Sequence, residues 1–194
     1  MHKGRLEAFT DAVIAIIMTI MVLDLRPPEG HHNQFSDLLP LAPKLLVYIL
    51  SFINLGLYWN NHHHLLQAVK KVNGQVLWAN IHLLFWLSLL PFTTGWLGEQ
   101  GLATAPVLVY GAVLLMSGVA YYILVRALLK ANRGDAIFER AVGRDFKGKI
   151  SVVIYAVGIA LTPFSVIASC ALYVAVALMW FIPDRRFEHM PEEA

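Results

Sequence analysis

The stretch "GRLEAFTDAVIAIIMTIMVLDL", residues 4–25, is strongly apolar, yet it has Arg5, Glu7 and Asp11 in its first turns. The hydrocarbon core of a bilayer is about 30 Å thick, and about 20 apolar helical residues cross it. The stretch therefore predicts a membrane-spanning helix over residues 9–25, with its charged side chains near one interface. Because charged groups in a span usually have a partner, we expect Glu7 and Asp11 to face neighbouring helices of the same subunit.

Composition supports an integral membrane protein. The 194 residues are 58% hydrophobic and 14% charged, and the mean hydropathy is +0.60. Soluble domains contain about 25% charged residues, so this chain has too few charges to cover a soluble surface. The formal net charge of +2 gives no indication of a nucleic-acid partner. The single cysteine, Cys170, cannot form a disulfide within the chain and is expected to pack among apolar residues.

The apolar segments predict an all-α membrane protein with six spans in one domain, residues 1–194. The predicted spans are about 9–25, 38–59, 76–97, 105–129, 150–164 and 166–182. The last two come from one apolar run that, as a single helix, would be about 50 Å long and too long for one span. Pro163, near the middle of that run, predicts a break there.

The distribution of basic residues predicts the orientation. With six spans, both termini lie on the same side as residues 60–74 and 130–149, and that side holds twelve Lys and Arg residues. The opposite loops hold only Arg26 and Lys44, and Arg126 lies near the inner end of the fourth span. Basic residues concentrate in cytoplasmic loops, so the sequence predicts that both termini are cytoplasmic.

The first helix is predicted to have two different faces. At 100° per residue, one stripe carries Ala12, Ile16, Thr19, Ile20 and Leu23, with Phe9 and Arg5 below it. Glu7 and Asp11 lie four residues apart on another side of the helix. An aliphatic stripe of this kind is also typical of core packing, and acids near a helix start are also favoured by the helix dipole.

Partners for the acids are expected at the end of the second span, in "LYWNNHHHLL", residues 57–66. Trp59 is of a type favoured at interfaces, and Asn60, Asn61 and three histidines follow it with several hydrogen-bonding groups. Asn80 and His82 lie on the inner half of the third span. We expect a structural polar network between the first three spans. Adjacent histidines point in different directions on a helix, so no metal site is predicted.

At these residues the chain resembles the transmembrane protein 175 potassium channels, in their bacterial single-repeat branch. The segment "RLEAFTDAVIAIIMT" is similar to that family's Arg-x-x-x-Phe-Ser-Asp signature, with Thr in place of Ser. The matching positions are Arg5, Phe9, Thr10 and Asp11. Trp59 and His63 match the family's Trp-x-x-x-His pattern at the end of the second helix. These six residues are the expected members of the polar network.

The resemblance implies a potassium-selective channel in a bacterial inner membrane, assembled as a homotetramer in the lipid bilayer. It implies no enzyme activity and no cofactor beyond the permeant potassium ion. The first helix would line a central pore, with its constriction at Ile16, a hydroxyl layer at Thr19, and Ile20 and Leu23 further outward. Potassium is expected near Ile16 and Thr19. The sequence has no Thr-Val-Gly-Tyr-Gly filter, and "PFTTGW", residues 91–96, is interpreted as a helix end.

Two other classes of function stay open at this stage. A proton-coupled secondary transporter would use broken helices in repeated halves, and "LPFTT" and "TPFS" hint at such a repeat. No acidic residue at the membrane midplane accompanies them, although transporters usually need one. A membrane enzyme could use the histidine cluster, but no catalytic Asp/Glu–His spacing supports it.

Overall fold

The computed structural model describes residues 3–27, 34–142 and 146–181, and these residues are almost entirely helical. The α-helices are α1 (Lys3–Ile20), α2 (Ala42–Gln67), α3 (Gly74–Ser88), α4 (Leu90–Gln100), α5 (Thr104–Ala131), α6 (Ala136–Val142), α7 (Phe146–Leu161) and α8 (Val166–Phe181). A 3₁₀ turn, Met21–Asp24, extends α1, and another, Phe35–Leu41, precedes α2.

Among the residues that the structure describes, four helical segments are long and apolar enough to cross a membrane. They are Lys3–Asp24, Phe35–Gln67, Gly74–Gln100 and Thr104–Ala131. Helices α7 and α8 have 16 residues each, so each is about 24 Å long at 1.5 Å per residue. The chain turns between them at residues 162–165, where Pro163 lies.

Several helix ends differ from the ends of the predicted spans. The second helix continues to Gln67 instead of ending at residue 59, because its polar residues keep helical hydrogen bonds and pack inside the subunit. The fifth segment ends at Leu161, not at residue 164, because the turn around Pro163 follows it at once. Residue 182, the predicted end of the last span, lies outside the described residues.

The third predicted span, 76–97, is divided into α3 and α4. The helical hydrogen bonds are interrupted at Leu89, whose N–H instead bonds the carbonyl of Trp86 at 3.2 Å. Pro91 has no N–H to donate, and it lies in the first turn of α4, where helices accept proline. The interpretation of residues 91–96 as a helix end is therefore wrong, since they form the first turns of α4.

Helix α5 is the centre of the subunit and packs against α3, α4, α7 and α8. Helix α1 packs on one side only, mainly against α2 and α3 and also against α4. Close packing against Tyr173 of α8 requires glycine on α7. A Cβ added at Gly158 would lie 2.6 Å from Cε1 of Tyr173, whereas a Cβ at Gly118 of α5 would meet its nearest neighbour at an ordinary 3.6 Å.

The two ends of the helical bundle are tied by different polar contacts. At one end, Lys3 Nζ donates to the carbonyl of Gln67 at 3.1 Å, and Lys70 pairs with Asp135 at 3.3 Å. At the other end, Lys44 pairs with Glu99 at 3.5 Å. The start of α1 and the end of α2 therefore share one end of the bundle, as their predicted places in a six-span topology require.

Candidate functional site

One face of α1 is uncovered along its whole length. Phe9, Ile16, Ile20 and Leu23 are 52%, 59%, 43% and 71% exposed. Arg5, Ala12 and Thr19 are exposed on the same side. The opposite face is buried, with Leu6, Ile14 and Ile17 at 3% exposure or less. The exposed residues coincide with the stripe drawn from helical periodicity, and nothing else in the described subunit covers them.

Thr19 places an oxygen acceptor on this exposed face. Its hydroxyl donates to the carbonyl of Ile16 at 2.9 Å. A threonine oxygen that has donated its hydrogen keeps acceptor lone pairs. The side chain can therefore offer those lone pairs to a cation or a water molecule at the face, one turn along the helix from Ile16.

The acids of α1 face α2, on the side away from the exposed stripe. Trp59 Nε1 donates to Asp11 Oδ1 at 2.9 Å. His63 Nδ1 lies 3.3 Å from Glu7 Oε1, and its ring stacks on that of Trp59 with 5.9 Å between the ring centroids. Gln67 Nε2 lies 2.9 Å from His63 Nε2. In this arrangement the amide nitrogen donates to Nε2 of His63, and Nδ1 of the same ring faces Glu7.

A second set of hydrogen bonds joins α1 to α3 and α3 to α2. Thr10 Oγ1 donates to the carbonyl of Leu6 at 2.9 Å and accepts from Asn80 Nδ2 at 2.8 Å. Asn80 Oδ1 lies 2.8 Å from His62 Nε2, which must therefore donate. Thr10, Asn80 and His62 are all buried. Each donor atom in this series of hydrogen bonds has an acceptor. The series therefore fixes the rotation of the three helices about their axes.

The structure brings four of the six predicted network residues into these contacts: Thr10, Asp11, Trp59 and His63. Arg5 and Phe9 lie instead on the exposed face of α1. His82, considered a possible member, accepts a hydrogen bond from Trp86 Nε1 at 3.0 Å on its own helix.

No contact of the network was predicted as a pair, neither that of Glu7 with His63 nor that of His62 with Asn80. The signal for the second was a polar residue on an apolar helical stripe. Asn80 occurs among the buried positions Val76, Leu83, Leu84 and Leu87 of α3, and a buried amide there requires partners.

The consecutive histidines contact different partners. His62 faces Asn80 on α3, and His63 faces Glu7 on α1. Within the ranges that the structure describes, no three His, Cys, Asp or Glu side chains lie close enough together to hold a metal ion.

Comparison with known proteins gives a consistent set of similarities. The family model described as "Endosomal/lysosomal potassium channel TMEM175" matches residues 5–91. A potassium channel of Chryseobacterium sp. (strain P1-3) is 50% identical over 193 residues, which cover 100% of both chains. The crystal structure of a lysosomal potassium-selective channel TMEM175 homolog from Chamaesiphon minutus superimposes with a TM-score of 0.77 at 28% identity, covering 92% of this chain and 96% of that one. The endosomal/lysosomal proton channel TMEM175 of Homo sapiens is 37% identical over 81 residues, 37% of this chain and 16% of its own length.

Proposed function

We propose, since this chain belongs to the TMEM175 family of potassium channels, that it conducts potassium through a central pore that a homotetramer forms around its first helices. Its full-length relative from Chryseobacterium is a potassium channel by name. The chain is accordingly an ion channel and not an enzyme. We place it in a bacterial inner membrane with six spans and both termini in the cytoplasm, as the distribution of basic residues indicates.

The observation that carries the proposal is the uncovered face of α1. Hydrogen bonds from α2 and α3 hold the helix by one side, so the aliphatic side chains of the other side stay exposed over several turns. Identical subunits usually close around a symmetry axis. Four copies with this face toward the axis would bury it and would line one pore with α1 alone.

The narrowest part of this pore is proposed at Ile16. A ring of four branched aliphatic side chains is wetted poorly, so a hydrated ion meets a barrier there. Thr19 lies one turn further outward, and its oxygen has already donated its hydrogen to a backbone carbonyl. Four such oxygens would give a cation its next ligands after the ring. Ile20 and Leu23 continue the lining outward.

Side chains of α1 are proposed to provide the selectivity. The sequence contains no Thr-Val-Gly-Tyr-Gly segment, so carbonyl rings of that type are not part of the proposal. The polar network of Thr10, Asp11, Trp59 and His63 is proposed to fix the rotation of α1, so that Ile16 and not a neighbour points to the axis. Arg5 and Phe9 would lie at the inner mouth.

Two measurements test this proposal. Reconstituted protein should carry a potassium current down its gradient without a co-substrate, which a proton-coupled transporter would require. Parallel sodium and proton gradients are needed, because the animal relatives are named proton channels.

In a Cys170→Ala background, Ile16→Cys should be blocked by a small thiol reagent during conduction. Ile17→Cys, on the buried face of the same helix, is the matched control and should stay unmodified. Equal modification of both positions, or of neither, would contradict a pore lined by the exposed face.

A further inference from the structure

A second feature of the subunit is an open groove between the first half of α3 and the last half of α5, which we call the α3–α5 groove. It occupies about 1200 Å³ including its open side, and its lining includes Asn73, Trp78, Ala79, Ile123 and Ala127. Sites for drug-sized ligands occupy about 300–1,000 Å³. The groove therefore has room for a large molecule and not only for a few waters.

Most of the lining along the two helices is apolar. Ala79 and Ala127 contribute only methyl groups to it, whereas Trp78 and Ile123 are 74% and 41% exposed. Trp78 lies one turn after the start of α3, close to the end of the bundle, and tryptophan is favoured at the interface between lipid and water. The groove therefore offers an acyl chain an apolar surface that begins at this interface.

Basic side chains lie at the end of the groove where α3 begins. The N–H groups of Lys70 and Lys71 donate to Asn132 Oδ1 at 3.3 and 2.8 Å, and Asn132 Nδ2 donates to the carbonyl of Lys71 at 3.0 Å. These bonds tie the segment before α3 to the end of α5. Lys130 lies three residues after Ala127, on the same face of α5. Lys71 and Lys130 therefore belong to one corner of the groove.

The helices that form the groove have no acidic side chain to neutralise this corner. Residues 68–98 and 102–134 contain no Asp or Glu. Asp135, which follows directly, pairs with Lys70 at 3.3 Å. Lys71, Lys130 and Arg133 are all exposed. The corner therefore keeps a positive charge after the ion pair of Lys70 has formed.

A cationic corner followed by an apolar groove complements a lipid with an anionic headgroup. Lysine and arginine side chains near a membrane surface attract such lipids. We propose that the α3–α5 groove binds an anionic phospholipid, with its headgroup at Lys71 and Lys130 and an acyl chain along Trp78 and Ile123. The proposed topology places this site in the inner leaflet. Only that choice of leaflet rests on the proposed function, and the site itself does not depend on the pore.

Native mass spectrometry of the purified full chain in detergent tests the site by resolving bound lipids. Dimyristoylphosphatidylglycerol should bind at least about fivefold more tightly than dimyristoylphosphatidylcholine, because the acyl chains are identical and only the first headgroup has a net charge. Lys130→Gln should weaken binding of phosphatidylglycerol about fivefold and leave that of phosphatidylcholine unchanged.

Lys149→Gln is the matched control, because it removes the same charge from an exposed position of α7. Helix α7 meets α5 near Gly118, on the side opposite to Ala127. Lys149→Gln should therefore leave the binding of both lipids unchanged. An equal loss of phosphatidylglycerol binding in Lys130→Gln and Lys149→Gln would show unspecific attraction by the basic end of the bundle and would overturn the proposal.

Trp78→Ala tests the apolar part of the site. Because Trp78 is 74% exposed, its loss should not unfold the subunit, and it should weaken both lipids alike by at least about threefold. Equal binding of the two lipids by the unmodified chain would overturn the proposal. So would unchanged binding of both lipids by Trp78→Ala, the result expected if a neighbouring subunit covers the groove. These measurements involve no conduction, so their failure differs from a failure of the proposed pore.

Discussion

Replacing Ile16 with Asn tests whether this side chain lines a pore or packs in the core of the protein. Ile16 is 59% exposed in the subunit, so roughly two fifths of its side chain contacts the rest of the protein. Full burial of such a side chain contributes about 1.5–3 kcal/mol, so the substitution should cost the subunit only about 1 kcal/mol. Ile17 is 3% exposed. Ile17→Asn loses the whole contribution and buries an amide without partners, which costs several kcal/mol.

Ile16→Asn should increase conduction, although it slightly lowers the stability of the subunit. A ring of four asparagines offers hydrogen-bonding groups of similar size at the proposed constriction, so water and hydrated ions meet a lower barrier. A barrier lowered by about 1.4 kcal/mol raises the rate about tenfold. We therefore expect single-channel current in planar bilayers to rise by up to about tenfold, with some loss of preference for potassium over sodium.

Assembly is measured on the same samples by size-exclusion chromatography. Ile16→Asn should elute as the wild-type oligomer, whereas Ile17→Asn should express poorly. If Ile16→Asn assembles normally with unaltered conductance and selectivity, Ile16 does not lie in the pore. If it fails to assemble as Ile17→Asn does, the exposed face of α1 is a packing surface.

Three further outcomes are expected. Asp11→Ala should reduce the assembled oligomer in detergent, because it removes the acceptor of the Trp indole N–H and loosens α1 from α2; unchanged assembly and current would mean that this carboxylate is only solvated. Gly158→Ala should lower the thermal unfolding midpoint, since its new Cβ meets a tyrosine ring and overpacking costs about 1–3 kcal/mol, whereas Gly118→Ala should change it little. Cysteines at Gln67 and Asn33 should be labelled from opposite sides of the membrane in intact cells, and labelling from the same side would exclude the six-span topology.

The exposed stripe of α1 could be predicted from the sequence because it depends only on local helical periodicity. The side chains of Phe9, Ile16, Ile20 and Leu23 share one side of any regular helix. The acidic residues Glu7 and Asp11 lie on another side. The contact of these acids with the end of α2 could also be expected, because that segment is rich in hydrogen-bonding groups.

The residue pairs within the polar network could not be predicted from periodicity. The contact between Thr10 and Asn80 joins residues 70 positions apart, and its existence depends on the rotation and depth of two helices. Periodicity already placed Arg5 on the side of the exposed stripe, and its expected membership of the network came from the family resemblance alone. The break at Leu89 was missed because a proline in an apolar run can either end a helix or restart it within one turn.

The length of the second helical segment has a consequence for the surrounding lipid. The segment Phe35–Gln67 has 33 residues, and the 26 residues of α2 alone are about 39 Å long at 1.5 Å per residue. The hydrocarbon core is about 30 Å thick, so under the proposed topology this segment would tilt or extend beyond the hydrocarbon. Acyl chain length would then change its tilt, and the channel would be sensitive to the thickness of its membrane.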